Sequence, residues 1–105
     1  MLDVRIDIPM ERIAAFCRKW KVVELALFGS ALRADFRPDS DIDLLVTFTK
    51  DADWSLLDHA RMELELRDVF GREVQLLTRR CVEGSGNPIR RKAILESARS
   101  IYRAA

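Results

Sequence analysis

The chain has 105 residues, 49% of them hydrophobic and 33% charged, with a net charge of +1. That length admits one domain, residues 1–105, and that balance belongs to an ordinary soluble globule with a real core, not to a disordered or fibrous chain. No apolar run approaches membrane-spanning length, and the start, MLDVRIDIP, has no apolar stretch of a signal peptide.

Taken in order, Val4, Ile6 and Ile8 alternate and suggest a short extended segment over 3–8. Pro9 suits the first turn of a helix, and Ile13, Phe16, Cys17 and Trp20 recur at helical spacing, which predicts a helix over 9–20. An apolar strand over 22–28 ends in Phe28 and delivers Gly29-Ser30; one or two helical turns over 30–34 and a loop over 36–40 follow. Residues 41–48 read as a second strand and 49–53 as a charged connection. Ser55 caps a long helix that runs to about Phe70, with Leu56, Leu57, Ala60, Leu64 and Arg67 along one side, and Gly71 stops it. His59 lies on this helix with no second ligand at i±4, so it is expected at the helix surface. Residues 73–78 form a third strand, with Val74 and Leu76 opposite Glu73, Gln75 and Leu77. Residues 82–87 are a plain connector. Asn87 and Pro88 start a last helix whose apolar side is Ile94, Leu95, Ala98, Ile101 and Tyr102, and whose basic residues include Arg90, Arg91, Lys92, Arg99 and Arg103. The expected architecture is α/β: a small mixed sheet of three to four strands backed by about four helices.

Cys17 and Cys81 are too few and too far apart for a zinc pattern, and without a secretory signal they read as free thiols in a reducing cytoplasm. Charge is uneven: residues 35–68 hold ten Asp/Glu against four Lys/Arg, and residues 69–105 hold eight Lys/Arg against three Asp/Glu. An acidic middle suits a metal centre. The basic last third suits phosphates or an acidic surface, or is simply a solvated face.

The chemistry concentrates in Leu27–Val46. Asp41 and Asp43 share one face of the second strand while Ile42, Leu44 and Val46 point into a core. Two adjacent carboxylates repel and are costly to desolvate, and a divalent cation resolves both costs. Oxygen-only ligands suit Mg²⁺ (or Mn²⁺), which completes its shell with water and substrate phosphates. Gly29-Ser30 supplies the other half of a site: Gly permits close backbone approach, and Ser at a helix start presents free N–H groups to an anion. Arg33 is a further candidate phosphate ligand, or a surface residue pairing with Asp35 or Glu24.

The wording FGSALRADFRPDSDIDLLV, Gly-Ser followed about ten residues on by Asp-Ile-Asp, resembles the DNA polymerase beta-like nucleotidyltransferases, and in particular their minimal nucleotidyltransferase (MNT) branch. These are small proteins often encoded beside a HEPN-domain toxin and acting as its antitoxin. The resemblance implies a nucleotidyltransferase-like fold, ATP as substrate with Mg²⁺, and AMP transfer onto a hydroxyl, plausibly a tyrosine, of a HEPN ribonuclease toxin. Asp41 and Asp43 would be the catalytic metal ligands, with Gly29, Ser30 and Arg33 on the nucleotide. It implies a hetero-oligomer with the toxin. A homodimer is the alternative assembly, and no membrane or DNA partner is expected.

Similar proteins carry a third carboxylate in a Val-Asp-Leu context, and the matching residues here are Val74-Gln75-Leu76. Gln75 is neutral, so the metal that activates the nucleophile loses a ligand and any general-base contribution, about 10²–10⁴ in rate, is missing. Glu73, on the same face by alternation, is the candidate surrogate. If it does not serve, the chain binds nucleotide but transfers slowly or not at all, and neutralises its toxin by complex formation. Transfer to a small molecule is a third reading, for which the chain shows no extra domain to build an acceptor pocket.

Overall fold

The computed structural model describes residues 8–29 and 41–104. The extended segment expected over 3–8 (all but Ile8), the helical turns over 30–34 and the loop over 36–40 lie outside the described residues. Within them the order is α1 (Met10–Lys19), β1 (Val22–Phe28), β2 (Ile42–Phe48), α2 (Leu56–Phe70), β3 (Val74–Thr78), α3 (Arg79–Glu83), α4 (Pro88–Ser97) and β4 (Arg99–Arg103).

The sheet runs β3-β2-β1-β4. β1 is antiparallel to both β2 and β4, and β2 is parallel to β3, so the sheet is mixed. Helices cover both faces. Ile13, Phe16 and Cys17 of α1 and Met62 and Leu66 of α2 pack on Leu25, Leu27, Ile42, Leu44, Val46, Val74 and Leu76. Each large apolar side chain fully buried there contributes about 1.5–3 kcal/mol. The opposite face is smaller: Ala26, Phe28 and Leu45 lie under Val82 of α3 and Ile94 of α4. Alternation along β2 sends Ile42, Leu44 and Val46 to the first face and Asp43 and Leu45 to the second. The small layer of α3 and α4 therefore shares its face with Asp43.

Local signals fix the joints. Trp20 closes α1, Lys21 turns the chain with a φ of +59°, and β1 begins at once. Trp54 stacks edge-on against Trp20 at 5.0 Å and its indole N–H donates to the Trp20 carbonyl at 3.0 Å. Trp20 in turn donates to Glu65, which Lys19 also meets. Burial pushes the Cys17 thiol up to about 12, so it stays protonated, while Cys81 is exposed; both are free.

α2 begins and ends as the sequence indicates. The Ser55 hydroxyl accepts the Asp58 N–H, the Asp58 carboxylate accepts the Ser55 N–H, and Gly71 ends the helix at a φ of +71°. Its buried side is the one opposite the leucine stripe. Met62 and Leu66 are fully buried, whereas Leu56, Leu57 and Leu64 are 91%, 62% and 57% exposed. The helix carries two apolar stripes, and the stripe with fewer leucines faces the sheet. Its polar members, His59 and Glu63, are accommodated because β3 offers them partners. His59 is thus half-buried rather than on the open surface: its Nε2 lies 2.8 Å from the Leu76 carbonyl, which accepts the ring N–H. Glu63 accepts the N–H of the same residue at 2.8 Å. Both groups of Leu76 point away from β2 in this parallel ladder, so α2 satisfies what no strand does. We expect Leu66→Ala to cost about 2–5 kcal/mol in urea denaturation. Leu64→Ala should stay within about 0.5 kcal/mol. The reverse order would place the leucine stripe against the sheet.

The C-terminal segment is a second correction. Asn87 caps α4 by accepting the Arg90 N–H at 3.1 Å, but the helix ends at Ser97, and Ile101 and Tyr102 belong to β4 instead of a helix face. β1 would otherwise leave a row of unpaired backbone groups, and Arg99–Arg103 fills it. The Arg103 guanidinium donates to Glu24 of β1 at 2.7 Å and holds that carboxyl below the usual range, with Arg79 of α3 at 3.6 Å on its other oxygen. The connector expected over 82–87 is shorter, because α3, capped by the Thr78 hydroxyl, extends to Glu83.

Candidate active site

β1 hands the chain to Gly29, which adopts a φ of +72°, a region that residues with a Cβ rarely enter. Phe28 is in register with Asp43 on β2, and Asp43 with Gln75 on β3. Three neighbouring strands therefore place a glycine turn, a carboxylate and an amide side by side, at strand spacings of about 4.8 Å. The approach of the first two is close: a Cβ on Gly29 would stand 2.5 Å from Oδ2 of Asp43. The bare Cα of Gly29 is thus the seat of the Asp43 carboxylate.

Gly29, Asp43 and Gln75 line one cavity of about 270 Å³, with Phe28 and Leu77 below and Arg90, Ala93, Ile94 and Ser97 of α4 opposite. Arg90 also borders Leu77, Cys81 and Val82 in the adjoining cleft, which places the start of α4 on the β3 side. Ser97 leads within two residues to Arg99, the partner of Leu27 on β1. The rise from Arg90 to Ser97, about 10.5 Å in a helix, matches two strand spacings, so α4 spans the three strands that carry the site.

Asp41 precedes β2, shares the face of Asp43 by alternation and is exposed. Ser30 and Arg33 lie outside the described residues. Glu73 is not on the cavity wall: its carboxylate meets Arg67 of α2 at 2.8 Å. Among the described residues no three of His, Cys, Asp and Glu come together as a metal cluster. The donor set suits one divalent cation. Asp43 is seated by Gly29, Asp41 lies two residues away, and the neighbouring Gln75 offers a neutral amide oxygen. Sequence reasoning placed Arg90 on the last helix but missed that its side faces this cavity; the spacing 90, 93, 94, 97 is the signal, and it needs the direction of α4 to be read.

A larger cavity of about 510 Å³ lies between α2 and α3, with Trp54, His59, Arg80 and Cys81 on its walls. It has Asp53 as its one carboxylate among the described residues and no glycine turn, so it lacks the parts of a phosphate and metal site.

A family model described as a nucleotidyltransferase domain matches residues 10–101. MJ0435 of Methanocaldococcus jannaschii, named as a candidate protein adenylyltransferase, is 36% identical over 87 residues, which is 83% of this chain and 87% of that protein. The solved structure of a candidate minimal nucleotidyltransferase superposes with a TM-score of 0.64 at 34% identity, covering 90% of this chain and 96% of that one. The complex of a tri-AMPylated Shewanella oneidensis HEPN toxin with its MNT antitoxin gives a TM-score of 0.60 at 17% identity, covering 90% of this chain and 69% of the matched one, a likeness of fold. Among the described residues no helix is long and apolar enough to cross a membrane.

Proposed function

The chain belongs to the nucleotidyltransferase domain family, in its minimal nucleotidyltransferase branch, and from that premise we propose that it is an antitoxin that transfers AMP from ATP to a hydroxyl of a HEPN ribonuclease toxin. The observation that carries the reading is the Asp43 carboxylate seated on Gly29, beside Asp41 and at the mouth of a cavity large enough for part of a nucleotide. The naming of its relative as a candidate protein adenylyltransferase supports a protein acceptor. The AMPylated HEPN toxin in a structure of the same fold supports the class of partner.

In this reaction the acceptor oxygen forms a bond to the α-phosphorus, the bond from that phosphorus to the bridging oxygen breaks, and pyrophosphate leaves. Gly29 leaves room for the Asp43 carboxylate at the end of β1, where the nucleotide's phosphates would meet it. Asp41 and Asp43 would hold a divalent cation, which when bound neutralises charge on the phosphates and leaving group. Gln75 accepts no proton, so the acceptor's proton passes to solvent. The α4 wall shields one side of the cavity from water. With little covalent work asked of the protein, positioning and charge carry the rate.

The test is incubation with ATP labelled on the α-phosphate, Mg²⁺ and a purified HEPN-domain toxin. We expect label on the toxin and released pyrophosphate. Asp41→Asn with Asp43→Asn should abolish both, together with the gain in ATP affinity that Mg²⁺ brings, and leave the circular dichroism spectrum unchanged. ATP affinity indifferent to Mg²⁺ in the parent would overturn the metal site.

A second reading is favoured by Gln75 on the cavity wall and Glu73 held by Arg67. Here the chain binds nucleotide and neutralises the toxin by forming a complex, with slow or absent transfer. Toxin inhibition that persists in the double Asn variant would separate this reading from the first.

A further inference from the structure

The cavity's β3 side is where a third carboxylate for metals is expected, and the chain places Gln75 and Arg90 there instead. Among the described residues the Arg90 guanidinium makes no ion pair, unlike several of its neighbours. Arg91 donates to the carbonyls of Glu83 and Ser85, Arg79 and Arg103 meet Glu24, and Arg99 donates to carbonyls at the end of α4. The Arg90 backbone is fixed by the Asn87 cap, so its side chain starts from a held position on the first turn of α4.

Resting on the nucleotide-transfer reading, we infer that Arg90 is a phosphate ligand of the bound nucleoside triphosphate. Its guanidinium supplies on the β3 side the positive charge that a second metal ion would otherwise bring. A third carboxylate at position 75 would draw a cation or pair with Arg90. The neutral Gln75 does neither, and leaves the guanidinium for an anion. A planar guanidinium meets phosphate oxygens through two parallel hydrogen bonds and stays charged at every physiological pH. Arg90 would then meet the phosphates from the Gln75 side, while Asp41 and Asp43 would hold a divalent cation that neutralises the rest of their charge. Ser97 and Ala93, small and on the same wall, leave the room between them.

The consequence is measurable without turnover. ATP should bind the parent weakly in EDTA, through Arg90, and more tightly in Mg²⁺. Arg90→Gln should lower the EDTA affinity about tenfold or more, the loss expected for a charge-assisted hydrogen bond. It should preserve the relative gain from Mg²⁺, which belongs to Asp41 and Asp43. Arg90→Lys should recover only part, because a point charge lacks the fork. Adenosine, which has no phosphate, should bind parent and variant alike. Calorimetry with ATP in EDTA that shows Arg90→Gln within twofold of the parent overturns the inference alone, provided Mg²⁺ still strengthens ATP binding to both. A parent that binds ATP under neither condition overturns the transfer reading as well. Arg90 is exposed and outside both apolar clusters, so the variant is expected to melt with the parent, and a shared melting curve confirms that binding, not folding, is read.

Discussion

Gly29→Ala is expected to remove most nucleotide binding while sparing most of the fold. Two separate penalties meet at this residue. A φ of +72° costs a residue with a Cβ about 1–2 kcal/mol. The new methyl carbon would also stand 2.5 Å from Oδ2 and 3.3 Å from Cγ of Asp43, far inside contact distance. β1 and β2 are bound in register from Glu24 to Phe28, right up to this contact, so the backbone resists opening to relieve it. The carboxylate must swing away, and with it the proposed cation ligand. Stability should therefore fall by about 2–3 kcal/mol, the backbone penalty plus a rotamer change. Transfer should fall by about 10² or more, as when a positioned catalytic group is displaced. ATP calorimetry in Mg²⁺ beside urea denaturation separates the two losses. An affinity unchanged while stability drops would mean that this glycine serves the turn alone.

Gln75→Asp is expected to raise transfer by about 10²–10⁴, restoring a metal ligand and proton acceptor on β3. The same substitution should destabilise the protein without metal. Position 75 is in register with Asp43, and two carboxylates one strand spacing apart repel. Mg²⁺ should then raise the melting temperature of the variant more than that of the parent. Arg90 moderates both effects, since a carboxylate at position 75 has a guanidinium on the same cavity wall to pair with. The gain in rate should thus be larger in an Arg90→Gln background, a non-additivity that a double-mutant cycle reads directly. Rapid transfer by the unaltered chain, unchanged on Gln75→Asp, would show that Asp41 and Asp43 suffice.

The readable parts of this fold are those set by neighbours in sequence. β1, β2 and β3 are short apolar runs bounded by polar or glycine residues, and Ser55 and Gly71 mark the ends of α2 by chemistry local to each end, so these elements fall within about a residue of their expected bounds. The approach of Gly29 to Asp43 follows from the motif, because a strand, a turn and a returning antiparallel strand must bring the two together. The buried face of α2 does not follow. Its two apolar stripes are equivalent until His59 and Glu63 find the backbone of β3, a partner seventeen residues away for the histidine. Arg99–Arg103 is likewise settled at long range, by the unpaired side of β1. Arg90 escapes notice for the same reason: its place opposite Gln75 depends on the direction in which α4 crosses the sheet.

The hold of His59 and Glu63 on Leu76 also governs what the sheet can join. An extended peptide arriving at β3 finds the central donor and acceptor already engaged, and must dislodge two side-chain bonds before making its own. β-Augmentation at that rim starts from a deficit of roughly 1–3 kcal/mol for each group it uncovers. At the opposite rim, a second copy laid antiparallel on β4 about Ile101 would set Arg99 against Arg103 twice over, a repulsive ladder of the kind that keeps edges solitary. Polymerisation by shared backbone is thereby discouraged from both ends. Among the described residues, that leaves a partner the side chains of the helices and the cavity, or the arginines of β4, which suit acidic residues.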